Sequence, residues 1–177
     1  MRIKANNIKK ELAFLSVFLN KIEPYFFYEI TGEHNYVEIL PNMPYRFNPE
    51  DNWTWDIKEW YLNTDNMDNP VIYDAGSEEI RKFTEITKDD LGSVGSNPIA
   101  GPPGKIISEE VQREKIEFET TGIGQPHLIK VSYFPNWHAT GAEGPYLVSP
   151  SLMLVFPTQQ KVTLYYGMTY ANKLGVA

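Results

Sequence analysis

The chain has 177 residues, 42% of them hydrophobic and 14% aromatic, enough to fill one substantial core, so a disordered polymer is excluded. The net charge is −7, and five basic residues lie within the first 22 positions beside a single acidic one, which leaves the remainder strongly acidic. Such a body repels phosphate backbones, and no basic patch interleaved with aromatics appears, so nucleic acid is excluded as a partner. With no cysteine there is no disulfide frame, thiol nucleophile or zinc knuckle.

In chain order, Ile8, Leu12, Leu15, Phe18, Leu19 and Ile22 recur at steps of three and four and predict a helix over 5–22, stopped by Pro24. The apolar run within it, Leu12 to Leu19 broken by Ser16, is too short to span a bilayer, and no secretory cleavage pattern follows it. Tyr25 to Ile30 and Tyr36 to Leu40 are β-rich runs around a turn-forming Thr31 to Asn35, which predicts a hairpin. Residues 41–70 hold four prolines and Trp53, Trp55 and Trp60; irregular chain around a short helix over 54–61 is expected, with Trp55 and Trp60 serving the core. A strand at 71–74 and a helical turn over 78–83 precede a Gly, Ser and Pro-rich loop at 87–103.

The last third alternates clearly. Ile116 and Phe118 share one face while Glu117 and Glu119 share the other, and 130–133, 152–156 and 162–166 behave similarly between turn residues. The fold class expected is α+β, mostly β: a C-terminal antiparallel β-sandwich, jelly-roll-like, with an N-terminal helix plus strand portion. The organisation expected is 1–40 as an α/β portion, 41–104 as an irregular aromatic layer packed on the sandwich, 105–167 as the sandwich strands, and 168–177 as a lead into a membrane helix.

Local signatures of catalysis are missing. His34, His127 and His138 have no metal-ligand spacing, there is no nucleophile elbow, and the prolines of Gly101-Pro102-Pro103-Gly104-Lys105 remove the amide donors that a phosphate loop requires. Asn63 to Asn69 is dense in oxygen ligands without the order of a calcium loop, so a solvated turn is the simpler expectation. Glu117, Glu119 and Glu143 are the carboxylates that a glycosidase reading would nominate. No catalytic residue, cofactor or metal is assigned.

One stretch concentrates recognition chemistry: SYFPNWHATGAEGPY, residues 132–146, in which a strand meets a Pro-Asn corner, presents Trp-His and reverses through a Gly-rich turn. Asn136, Trp137, His138, Glu143 and Tyr146 are the candidate ligand-binding residues, the ring to stack on a sugar and the polar tips to bond its hydroxyls. The competing reading makes Trp137 a plug of the sandwich.

VSYFPNWHATGAEGPYLVSP followed by SLMLVFPTQQKVTLYYG, residues 131–167, resembles the closing soluble segment of archaeal polytopic membrane proteins. Those proteins are described as 6-pyruvoyl-tetrahydropterin-synthase-related and are similar to the bacterial YfhO family. In that group a SYFPNW or YYPGW corner leads through a Gly-containing turn to a strand and a hairpin ending in a Tyr-Gly element. Positions 128–167 match well, and 36–44 and 53–61 more loosely. The resemblance implies a non-catalytic extracytoplasmic domain of a glycosyltransferase-like integral membrane protein. Its partners would be the membrane-embedded remainder of the same polypeptide and a glycan or lipid-linked sugar. The histidine zinc site of pterin synthases and the WWDYG element of oligosaccharyltransferases are both missing.

Overall fold

The computed structural model describes residues 16–22, 25–30, 35–49, 56, 58, 60–73 and 83–167. The chain divides into two compact units, 1–35 and 36–177.

In the first unit, β1 (Ser16–Ile22) and β2 (Tyr25–Ile30) form an antiparallel hairpin, Ile22 opposite Tyr25 and Ser16 opposite Ile30. The helix predicted over 5–22 is therefore corrected over its second half, and its first half lies outside the described residues. The physical reason is the neighbour: Tyr25 to Ile30 is rich in aromatics that favour a strand and lies two residues away, so it offers a hydrogen-bonding edge that outweighs a weak helical periodicity. The predicted pairing of 25–30 with 36–40 is corrected too, because β2 takes β1 as its partner.

In the second unit, four strands, β7 (Ile106–Gln112), β8 (Lys115–Thr120), β10 (Trp137–Thr140) and β13 (Lys161–Tyr166), form a sheet of order β10-β13-β8-β7, antiparallel throughout. The other sheet has seven strands: β3 (Val37–Ile39), β4 (Tyr45–Phe47), β5 (Val71–Tyr73), β6 (Thr84–Glu85), β9 (His127–Ser132), β11 (Ala142–Val148) and β12 (Leu152–Pro157). Its order is β3-β9-β12-β11-β5-β4-β6, with β4 parallel to both β5 and β6. The mostly-β, sandwich-like class read from the alternation is what the chain adopts. The boundary falls at 35/36 rather than 40, so β3 belongs to the sandwich, and β4, β5 and β6 extend its larger sheet instead of lying over it as irregular chain.

The period-two pattern of β8 drives the packing of the two sheets. Ile116, Phe118 and Thr120 point inward and are buried. They meet Val162 and Leu164 of β13, Trp137 of β10, and Val37, Ile129, Met153 and Val155 of the larger sheet. β12 is apolar on both sides because both of its faces are covered: Met153 and Val155 enter this core, whereas Leu154 and Phe156 join Leu40, Ile72 and Val148 on the reverse face.

The smaller sheet does not reach the β5-β4-β6 end of the larger one. There Trp60, Leu91 and Val94 pack with Phe47, Val71 and Tyr73. Trp60 is core, as expected, and its indole N–H donates to the Asn69 carbonyl at 3.0 Å. Within the predicted 54–61 helix the described residues 56, 58, 60 and 61 are helical; Trp53 and Trp55 lie outside the described residues, as does the turn predicted at 78–83 except for Phe83, which is not helical.

Candidate functional site

The Asn63 to Asn69 segment is a short 3-10 turn at Thr64–Asn66 capped by the Asn63 side chain. Its asparagine side chains are spent on the fold. Buried Asn66 donates to the carbonyls of Trp60 and Leu91 at 3.0 Å each and accepts from the Val94 amide at 2.9 Å. Asn69 donates to the carbonyls of Asp65 and Val94. These amides satisfy backbone groups that no ladder reaches, which is how irregular chain can cover a sheet. Among the described residues no group of three or more His, Cys, Asp or Glu could hold a metal ion.

Of the nominated carboxylates, Glu117 and Glu119 share the outer face of the smaller sheet, and Glu143 is not brought to them. Glu117 lies between inward-facing Ile116 and Phe118, so it sits on the outer face of the smaller sheet. Lys115 Nζ is 2.7 Å from it, Thr163 donates to it at 3.2 Å, and Lys161 lies at 3.8 Å. The Lys115 hydrogen bond foremost, with the Thr163 hydroxyl and the two ammonium charges, holds its carboxyl below the usual carboxylate range. An acid held ionised is a poor proton donor to a leaving group. Glu143 is paired across the ladder with Phe156, whose side chain belongs to the reverse face of the larger sheet. Glu117 and Glu143 therefore lie on the two outer faces of the sandwich, with the core between them.

The same register separates the recognition residues. Trp137 and His138 are successive on β10, so their side chains leave on opposite faces. Trp137 turns inward, is 8% exposed and meets Tyr166 edge-on, with ring centroids 5.5 Å apart. His138 turns outward over Tyr165, with centroids 5.4 Å apart. Asn136 shapes the corner, its carbonyl accepting from the Gly167 amide at 2.9 Å, and the Trp137 amide closes the turn onto the Phe134 carbonyl. Tyr146 packs against Phe83 and Phe156 on the same reverse face as Glu143. Of the five candidates, Glu143 and Tyr146 thus share the reverse face of the larger sheet, His138 stands apart, and Asn136 and Trp137 share the corner.

That locality has a cavity of its own. A surface hollow of about 370 Å³ is lined by Arg113, Glu114, Val131, Ser132, Phe134, Trp137 and Tyr166. Trp137 gives it a rigid floor, while Phe134 and Tyr166 stand 54% and 40% exposed at its rim. Arg113 and Glu114 form the tip of the β7–β8 hairpin, and the Glu114 carbonyl accepts from the Tyr166 amide at 2.8 Å, which pins that tip beside the aromatic rim. The hollow thus brings aromatic surface together with Arg113, Glu114 and the Val131–Ser132 end of β9.

Sequence reasoning missed Arg113, Glu114, Phe134 and Tyr166. A signal existed in Tyr165-Tyr166 at a strand end: a period-two strand must send one ring to each face, so one of them had to share a face with Trp137.

No protein-family model matches the chain, and no match is found among curated proteins or solved structures. Among the described residues no helix is long and apolar enough to cross a membrane.

Proposed function

We propose that this chain is a non-catalytic carbohydrate-recognition domain whose contact with sugar is the hollow beside the β9–β10 corner. The observation that carries the reading is the grouping of two exposed aromatic rings with an arginine, a glutamate and a serine over a tryptophan floor. Aromatic rings stack on the apolar face of a pyranose, and a neighbouring cation and carboxylate bond its hydroxyls as donor and acceptor. A cavity of about 370 Å³ is at the small end of the range for ligand sites and suits one or two sugar rings. The dispersal of Glu117 and Glu143 over opposite faces supports binding rather than hydrolysis.

The resemblance of 131–167 to the YfhO-like segment gives this reading its setting. The domain would lie on the extracytoplasmic face of the cell membrane, next to the membrane-embedded remainder of the same polypeptide, and hold a glycan or lipid-linked sugar for a glycosyltransferase-like centre supplied there. A glycan array tests it: the wild-type chain should retain a subset of hexose-terminated glycans, and a Phe134→Ala, Tyr166→Ala double variant should lose them. Retention of nothing by the wild type would overturn sugar recognition.

A protein-interaction role is the second reading. Tyr61, Leu62 and Met67, close in sequence, are 58%, 68% and 45% exposed beside the buried Trp60. It predicts that Leu62→Ser changes association behaviour while glycan binding is untouched.

A further inference from the structure

His127 is the largest titratable side chain wholly inside the described fold, and its hydrogen bonds hold two surface loops. At the start of β9 it points into the sandwich core, fully buried, its ring stacked on Phe118 at a centroid distance of 5.6 Å. Nδ1 lies 2.8 Å from the Gln125 carbonyl, which can only accept, so Nδ1 carries the hydrogen. Nε2 is then the acceptor, and the Thr120 hydroxyl 2.8 Å away donates to it.

Both partners are hubs. Thr120 Oγ1 accepts from the Gly122 amide at 2.9 Å. The Gln125 side chain accepts from the Gly104 amide at 2.7 Å and donates to the Pro102 carbonyl at 2.9 Å. Lys105 and Thr121 exchange two further bonds. Gly104 and Gly122 are in such close contact that a side chain on Gly104 would run into the Gly122 backbone. The 102–105 and 120–126 segments are thus clasped together, with the neutral imidazole beneath the clasp.

We propose that His127 is an acid-sensitive latch: protonation of its ring releases the 102–105 and 120–126 loops while the sandwich stays folded. A second proton on the ring places an N–H where Nε2 now accepts. The Thr120 hydroxyl must then turn its hydrogen toward the Lys105 carbonyl, 3.3 Å away, in a poorer bond. The new positive charge also sits in a buried site where, among the described residues, no carboxylate is bonded to the ring to answer it.

The charged groups on the surrounding elements are committed elsewhere. Glu109 of β7 accepts from the Tyr36 and Val37 amides, and Glu38 of β3 pairs with Lys130 of β9 at 2.8 Å. Glu119 of β8 alternates to the outer face, β12 contributes no titratable side chain, and Lys105 is exposed. Burial accordingly pushes the imidazole below its ordinary value, against a smaller opposing effect of the Gln125 bond. Opening the loops lets water reach the ring and removes the penalty, so acid favours the open form.

Amide hydrogen exchange by NMR between pH 7 and pH 4.5, with protection factors corrected for the intrinsic pH effect, tests the latch. The amides of Gly104, Lys105, Gly122 and Gln125 should lose protection by up to about tenfold per pH unit between the ring's open-state value of about 6.5 and its lower folded value, the slope of one coupled proton. Those of Met153 to Phe156 should not follow. In His127→Gln, whose amide hydrogen-bonds but does not titrate, the pH dependence should vanish. Equal loss at loop and core amides, an unchanged pH dependence in the variant, or a ring titrating at or above the ordinary histidine value would each overturn the proposal. If the variant does not fold, titration of the wild-type His127 Cε1–H resonance against loop protection decides alone.

Discussion

Trp137 carries the tension between packing and recognition. With 8% of its surface exposed it is a core side chain, and its truncation to alanine should cost about 3–5 kcal/mol, read as a lowered urea midpoint. Phe134 leaves 54% of its surface to solvent, so Phe134→Ala should leave the midpoint within about 0.5 kcal/mol of wild type while weakening any sugar contact. Tyr166→Ala should cost about 1 kcal/mol, since its edge-on contact with Trp137 is lost. This ordering separates the plug from the platform within one hollow. The sequence made Trp137 prominent because tryptophan is rare, but prominence in composition does not reveal which side of a strand faces water. Only the inward partners Ile116, Phe118 and Leu164 decide that.

At the scale of elements, the turn between β10 and β11 is tightly constrained. Gly141 has φ of 77°, its carbonyl accepts from the amides of Thr158 and Gln159, and a methyl group there would run into the Lys161 carbonyl. Gly124 has a similar φ of 73° but open space around it. Gly124→Ala should therefore cost about 1–2 kcal/mol, the left-handed penalty alone. Gly141→Ala should cost more than that, because backbone must also move, and chemical denaturation of the two variants side by side checks the difference.

The strands of the last third were legible because each carries its own alternation between turn residues, and their covering neighbours lie close in sequence. The first hairpin was not. Residues 16–22 bear helical spacing, and what makes them a strand is the hydrogen-bonding edge of 25–30. The parallel pairs of β4 with β5 and β6 were equally hidden, since short segments among prolines acquire strand geometry only from a partner far along the chain.

For the whole molecule, one carboxylate binds the two sheets at their β3–β7 side. Glu109 points inward from the edge strand β7 and receives the Tyr36 and Val37 amides, one on each oxygen, both at 3.0 Å. It satisfies the entry of β3 and closes an otherwise open sandwich edge. Glu109→Ala should lower stability by about 1–3 kcal/mol, visible in the urea midpoint, with Glu109→Gln recovering part of the loss.

The pH dependence of global stability follows from opposite signs. The His127 ring has a folded pKa below its unfolded value of about 6.5, so the folded state binds fewer protons there. Stability is then full above that value and falls as pH drops through it, by at most about 1.4 kcal/mol per unit until the folded value is reached. Asp90 and Glu117 are carboxyls held low, so what they contribute is lost only at more acidic pH, around and below the carboxylate range. His127→Gln should flatten the first window and leave the second.

The organisation of the site was only partly legible for the same reason as the fold. Asn136 and Trp137 lie in the recognisable corner. Arg113 and Glu114 reach it because β8 pairs with β13, and β13 pairs with β10. The chain of pairings that assembles the hollow is written in register, not in any single motif.

The direct test is a titration of the 15N-labelled chain with a panel of neutral hexoses and disaccharides at millimolar concentration, observing the Trp137 indole N–H and the backbone amides of 113–114, 132–137 and 166. Saturable shifts confined to that group for at least one sugar, abolished in the Phe134→Ala, Tyr166→Ala variant, are the result predicted. No saturable shift there with any sugar, or shifts that persist unchanged in the variant, would contradict the assignment of the hollow as a carbohydrate site.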